Sequence, residues 1–416
     1  MTFAKLTPDG SILFGTRVIR MFAYGFLSVV LLLYLAQLGL SEGLIGLLLS
    51  LTLFGDAVIS LWMTTTADRV GRRRILIAGA ALMLFAGLLF ALTDRVELLL
   101  IAAIIGVISP SGYEVGPFLP VEQAALSQIV PDEQRTQTLA WYNFAGSFAT
   151  AAGALCGGGL TQLLQQVGVI PLNSYRTVVV VYGAIGVLLA LLFTRLSASV
   201  EATHSNLPQT RSRFGLHRSR GVVLKLSTLF GLDAFAGGFV VQSIVAYWFH
   251  VRFGVEPAAL GGIFFGANVL AGISALSAAW VAARIGLVNT MVFTHLPSNI
   301  LLVLVPLMPN LPLAIVVLFA RFSISQMDVP PRQSYTMAVV APDERSAAAG
   351  VTGIARSIGA AISPTLAGLF LSNPGSFGAP FFVAGGLKII YDILLYRGFG
   401  RLKTKNLSPS AGRLTD

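Results

Sequence analysis

Residues 67–74 read Ala67-Asp68-Arg69-Val70-Gly71-Arg72-Arg73-Arg74. This short, strongly basic hinge separates two apolar stretches, Leu44 to Thr66 and Ile75 to Thr93. A connection this short makes the flanking segments run antiparallel. Lys and Arg gather in the cytoplasmic loops of membrane proteins, so the hinge fixes which side of the bilayer these two segments share.

The rest of the chain agrees with a lipid solvent. Of 416 residues, 55% are hydrophobic and only 11% charged, and mean hydropathy is +0.79. A soluble protein carries about 25% charged residues, and roughly 20 apolar residues cross a bilayer. Twelve stretches qualify: about 14–38, 43–66, 75–93, 97–121, 136–166, 175–196, 223–249, 257–282, 287–308, 312–338, 346–371 and 377–398. The expected fold is an all-α membrane protein with twelve transmembrane helices in two six-helix bundles. The net charge of +10 needs no nucleic acid. With both termini in the cytoplasm, Arg95, Arg176 and Arg252 fall in outer loops. Arg17, Arg20, Arg321, Arg332, Arg356 and Lys388 fall within spans, and the remaining Lys and Arg are cytoplasmic. The first span is too long for a cleavable signal peptide and should persist as a helix. Cys156 is the single cysteine, and the four histidines are scattered, so neither a disulfide nor a metal site is expected.

Ser, Arg and His dominate residues 198–222. They read as a cytoplasmic linker between an N-terminal bundle (1–197) and a C-terminal bundle (223–400), followed by a cytoplasmic tail (401–416). The halves echo each other. Gly39-Leu-Ser-Glu-Gly-Leu-Ile-Gly46 parallels Gly254-Val-Glu-Pro-Ala-Ala-Leu-Gly261, and Ala67-Asp-Arg-Val-Gly71 parallels Ala282-Ala-Arg-Ile-Gly286. Glu114-Val-Gly-Pro117 parallels Asp328-Val-Pro-Pro331, and Pro131-Asp-Glu-Gln-Arg135 parallels Pro342-Asp-Glu-Arg345. Four matches in one order at nearly one offset indicate a duplication.

The hinge also resembles the loop 2–3 signature of the major facilitator superfamily, G-x-x-x-D-R-x-G-R-R. Asp68, Arg69, Gly71, Arg72, Arg73 and Arg74 fit it, with Thr64 in place of the opening glycine. Gly153-Ala-Leu-Cys-Gly157-Gly158 in span 5 is similar to the G-P-x-x-G-G motif of drug/proton antiporters in that superfamily, with Ala154 for its proline. The span 4 arginine motif of those antiporters is absent. Span 4 carries Ser109-Pro-Ser-Gly-Tyr-Glu114 instead, and span 11 carries Ser363-Pro364-Thr-Leu-Ala-Gly368. The resemblance covers almost the whole chain. It implies two parallel repeats with the site at their interface, and a hinge in which Asp68, Arg69, Gly71, Arg72 and Arg73 latch the cytoplasmic ends of the N-terminal helices in the outward-open state.

An ionisable group inside a span costs about 2.5–3.5 kcal/mol on insertion scales and faces a cavity or a partner. The candidates for binding substrate or protons are Arg20, Asp56, Glu114, Asp233, Arg321, Asp328 and Arg332; Glu122 and Arg356 also lie in spans. Glu114 and Asp328 occupy repeat-related places beside prolines. There proline interrupts the helical ladder, and a carboxylate either serves the site or fixes the break. Arg20 and Asp56 suggest a buried pair, Arg17 snorkels to the headgroups, and Lys388 and Asp392 at i,i+4 suggest an ion pair within one helix. Arg321 and Arg356 either pair with Asp328 and Asp233 or neutralise a substrate. Gln37, Tyr113, Trp141, Asn143, Gln242, Tyr247, Asn268 and Gln326 are candidates for the cavity wall.

No nucleophile elbow, Walker loop or metal-spaced cluster is present, which speaks against an enzyme or an ATP-driven pump, and no cofactor is implied. The expected function is that of a monomeric secondary transporter in the plasma (bacterial inner) membrane. It exports a small organic compound or toxicant by alternating access, driven by protons carried on Asp56, Glu114, Asp233 or Asp328. The alternatives are uptake or facilitated diffusion of an anionic metabolite through Arg20, Arg321 and Arg332, and metalloid efflux, for which the lone Cys156 is a poor ligand set.

Overall fold

The computed structural model describes residues 7–201, 218–341 and 344–399. Residues 202–217 of the linker expected at 198–222, the expected tail at 401–416, and Pro342 and Asp343 of the fourth repeat match lie outside the described residues; at the described ends of that linker, Ala198–Val200 form a 3-10 turn and helix resumes at Arg220. The first half holds α1 (Pro8–Ser28), α2 (Leu31–Gln37), α3 (Glu42–Val70), α4 (Arg72–Leu92), α5 (Val96–Ile105), α6 (Phe118–Ile129), α7 (Asp132–Gln166) and α8 (Pro171–Phe193). The second holds α9 (Arg220–Gly238), α10 (Gln242–Phe253), α11 (Pro257–Ile285), α12 (Leu287–Leu304), α13 (Leu311–Phe322), α14 (Val329–Ala338), α15 (Arg345–Leu371) and α16 (Ala379–Phe399). No strand occurs among the described residues.

All twelve apolar stretches are helical, and four are broken. Breaks in the fourth and tenth were legible: Pro110, Gly112, Gly116 and Pro117 separate α5 from α6, and Pro330-Pro331 open α14. Gly112 and Gly116 adopt φ of 71° and 81°, which glycine reaches without a Cβ penalty. Breaks in the first and seventh stretches were not expected. α1 and α2 meet at 42°, beside Ser28, whose hydroxyl bonds the Gly25 carbonyl. Back-bonding of this kind commonly bends a helix. By length and composition eight helical segments among the described residues, or nine with the bent α1–α2 pair, are fit to cross a membrane. α5 and α13 are apolar but short, and α7 has a polar first third. Twelve crossings require α5–α6, α7 and α13–α14 as well.

The duplication is visible in the helices. α3 and α11 each have 29 residues, and each ends on a glycine with positive φ, Gly71 at 109° and Gly286 at 85°. Within the first half α1 packs on α7 and α4 on α8; within the second α9 packs on α15 and α12 on α16. The halves meet through α7 with α11 and α3 with α15. Twenty-nine residues span about 43 Å, longer than the roughly 30 Å hydrocarbon layer, so the hinge after α3 stands clear of the acyl chains. Phe54, Val58, Leu61 and Trp62 form an exposed stripe on α3, the surface that lipid covers in a membrane protein.

Candidate functional site

Between the halves lies a cavity of about 460 Å³. Ser111, Tyr113 and Glu114 line it from the broken stretch of the first half; Asp233, Gln242, His295, Arg321, Gln326, Asp328, Arg332, Arg356 and Lys388 line it from the second. Two charge clusters flank it.

In the first cluster Arg20, fully buried, grips Glu122 with both terminal nitrogens at 2.8 and 2.6 Å and donates from Nε to Glu114 at 2.8 Å. Thr16 and Tyr142 also donate to Glu122. Arg17 pairs with Glu114 and lies over the Tyr142 ring. Two arginines and two carboxylates thus neutralise each other. This corrects two expectations. Arg20 does not pair with Asp56, because the α5–α6 break turns Glu114 back toward α1 and places Glu122 below it. Nor does Arg17 snorkel, being only 6% exposed. Asp56 instead accepts from the Gly116 N–H at 2.5 Å and the Ser60 hydroxyl at 3.1 Å, holding the break with a carboxylate that no Lys or Arg pairs among the described residues.

In the second cluster Asp233 is the hub. Lys388 Nζ lies 2.6 Å from Oδ1, Arg332 and Arg356 lie 3.1 and 3.3 Å from Oδ2, and His295 Nε2 lies at 3.8 Å. Arg332 also holds Asp328 at 3.0 Å. The expected Lys388–Asp392 pair is absent. Lys388 turns to Asp233, and Asp392 takes His295 at 2.9 Å and Asn299 at 2.8 Å. Arg356 pairs with Asp233 as one reading held, whereas Arg321 at the end of α13 pairs with no carboxylate among the described residues, and its Nε is buried without an acceptor. His295 and Lys388 were missed as site residues: a single histidine carries no motif, and Lys388 had a nearer partner in sequence.

Of the other wall candidates, Tyr113, Gln242 and Gln326 line the cavity. Gln326 bonds the Tyr113 hydroxyl across the halves at 3.3 Å, and Gln242 bonds Ser28 at 2.8 Å and is itself held by Asn268 at 3.1 Å. Tyr247 bonds Glu42 at 3.0 Å, away from the cavity. Gln37, Trp141 and Asn143 are not among the lining residues.

Above the cavity the halves touch backbone to backbone. A Cβ on Gly158 would strike the Pro257 carbonyl and Gly261, and one on Gly46 would strike the Pro364 carbonyl and Gly368. The glycines of the span 5 motif and its span 11 counterpart are therefore contact surfaces, and the two contacts are repeat-related. Glu42–Tyr247, Gln162–Glu256 at 2.6 Å and Ser50–Thr365 at 2.8 Å reinforce the same end.

At the opposite end the basic hinge forms a clasp within the first half. Arg72 Nε donates to Asp68 at 2.9 Å, and Arg72 Nη1 donates to Gln128 and the Val200 carbonyl. The backbone N–H groups of Arg72 and Arg73 donate to the Glu201 carboxylate at 2.6 and 3.3 Å. A carboxylate at the start of α4 satisfies free N–H groups and the helix dipole together. Gly71 makes the turn there at a φ of 109°, which other residues rarely adopt. Arg69 closes the last turn of α3. Among the described residues no three His, Cys, Asp or Glu side chains gather as a metal site would.

Residues 13–327 match the family model of the Major Facilitator Superfamily, and the chain belongs to that family of membrane transporters. An uncharacterized membrane protein of Saccharomyces cerevisiae is 30% identical over 94% of each chain. The purine ribonucleoside efflux pump NepI of Escherichia coli is 28% identical over 60% of this chain and 59% of its own length. Among solved structures, a bacterial homolog of the human lysosomal transporter Spinster, inward-facing and unoccupied, superposes with a TM-score of 0.69 at 15% identity, covering 94% of this chain and 96% of that one.

Proposed function

We propose that this transporter exports a small organic compound in exchange for protons, with Asp56 as the proton carrier. The observation that carries this reading is the pairing pattern. Protonating Asp233 would strand Lys388 and Arg356, protonating Glu114 would strand Arg17, and protonating Glu122 or Asp328 would take one of two carboxylates from Arg20 or Arg332. Losing a single partner from a buried pair costs about 3–5 kcal/mol. Asp56 alone among the candidate carboxylates can gain a proton without abandoning a cation, and it does so on the break that carries Glu114 into the cavity. Asp328, another candidate carrier, shares Arg332 with Asp233.

Export is supported by the efflux pump among the relatives. In this reading residues 1–197 and 223–400 move as two bodies about the cavity, in a plasma membrane with both termini cytoplasmic and the protein monomeric. The glycine-packed end is then the outer gate, shut here, and the hinge clasp is the latch that holds the first half together when the cytoplasmic side closes. The test is flux in proteoliposomes and everted vesicles of compounds found by screening a deletion strain and an overexpressing strain on a toxicant and metabolite panel. Accumulation that follows an imposed pH gradient and collapses with an uncoupler is expected. Flux indifferent to the gradient rejects the coupling.

A further inference from the structure

We infer that the cavity takes a small organic anion and that Arg321 meets its charge, an inference that rests on the cavity being the transport site. The charge count leads there. Glu114 faces the cavity already neutralised by Arg17 and Arg20, whose other partner is Glu122. The opposite wall presents Arg321, Arg332, Arg356 and Lys388 against Asp233 and Asp328. Adding Asp392, which lies behind them on His295 and Asn299, still leaves positive charge in excess. Arg332, Arg356 and Lys388 all reach a carboxylate; the excess resides on Arg321.

Donors without acceptors point the same way. Arg321 Nε and the hydroxyls of Ser298 and Ser325 are buried, bond no acceptor among the described residues, and belong to side chains that line this one cavity. Buried donors normally find partners, and an unpaired charge in low dielectric is costly. Closing the cavity around a neutral solute would leave that cost in place, and a cationic solute would add to it. An anion removes it, and a planar guanidinium suits carboxylate or phosphate oxygens in a bidentate grip. The volume of about 460 Å³ lies within the range of small-molecule sites.

The sign of the cavity can be read without knowing the substrate. In full-length protein carrying Cys156→Ser, a reporter cysteine is placed at Ser111→Cys, with Ser325→Cys as a second position. Its reaction rates with anionic ethylsulfonate and cationic ethyltrimethylammonium methanethiosulfonates are compared, each divided by the rate with free cysteine. A surplus cation in a cleft should favour the anionic reagent by about tenfold or more, and Arg321→Gln should erase most of that preference. Benzoate and phenyl phosphate should slow the reaction and benzamide should not; protection by one anion alone assigns a carboxylate or a phosphate ester. No preference for the anionic reagent, a preference unchanged by Arg321→Gln, equal protection by benzamide, or no reaction at either reporter overturns the inference. These rates report the field whether or not solute moves, so failure here is distinct from failure of the proton-coupled export assay.

Discussion

Lys388 on α16 reaches Asp233 on α9 at 2.6 Å, and the same carboxylate also takes Arg332 from α14 and Arg356 from α15. Asp233 is therefore the counter-charge for a whole wall of the cavity, whereas Lys388 is one of several cations upon it. Asp233→Ala should destabilise the protein by about 3–5 kcal/mol, as expected when a buried charge loses its partner. Lys388→Met should cost less, since Asp233 keeps two arginines. Thermal unfolding in detergent decides between them. Equal melting temperatures for the two variants would remove Asp233 from its position as hub.

Gly158 against Gly261 and Gly46 against Gly368 allow no side chain between the helices. The obstacle is backbone on both sides, so it cannot be relieved by a rotamer change. Gly158→Val or Gly368→Val should fold, because each half keeps its own packing, yet hold this end apart. Transport should drop at least tenfold, or about 1.4 kcal/mol. Cysteines placed on the two sides of the contact should lose their cross-linking. Normal transport by both variants would show that close approach here is not needed for the cycle.

Which of these features the sequence disclosed follows from the physics of each. The breaks around Pro110 and Pro330 were legible because proline acts on its own backbone, and the repeat was legible because Gly71 and Gly286 answer the same demand for positive φ. Partner choice was not. Lys388 and Asp392 are neighbours on one helix, but both point inward, where Asp233, His295 and Asn299 converge from other helices. A long guanidinium could bridge the gap in depth from Arg20 to Asp56, yet spacing says nothing of the break that brings Glu114 to Arg20 and the Gly116 N–H to Asp56 instead. Glu201 gave no signal, because the Arg72 N–H it accepts lies 129 residues away in sequence.

The Arg20–Glu122 pair is bidentate and fully buried. Removing either side alone should cost about 3–5 kcal/mol. Replacing both, as Arg20→Met with Glu122→Met, should recover much of the loss, because neither charge is then stranded. A double-mutant cycle on chemical or thermal unfolding measures the coupling. Additive losses would mean that the pair is not a unit and that Glu114 and Arg17 sustain each residue separately.

Glu201 holds the first turn of α4 through two backbone N–H groups. Glu201→Ala should loosen that turn by about 1 kcal/mol, the scale of a lost helix cap, and free the clasp around Arg72 without altering the cavity. Substrate affinity should stay near wild type while the rate of cycling changes. A changed affinity with an unchanged rate would place the effect in the site and not in the latch.

Asp56→Asn tests coupling apart from binding. The amide keeps an oxygen for the Gly116 N–H and for Ser60, so the α5–α6 break and the wall it carries should persist, but the side chain can no longer exchange a proton. Exchange of labelled for unlabelled solute across the membrane needs only the loaded carrier to reorient, and it should survive. Accumulation against a gradient needs the proton to be released on one side and taken up on the other, and it should disappear. In the wild type, raising the pH on the side from which solute is taken removes the proton from Asp56 and favours the solute-bound form, so uptake into everted vesicles should rise with external pH; in Asp56→Asn that slope should flatten. A variant that still accumulates solute with the wild-type pH slope would exclude Asp56 as the carrier.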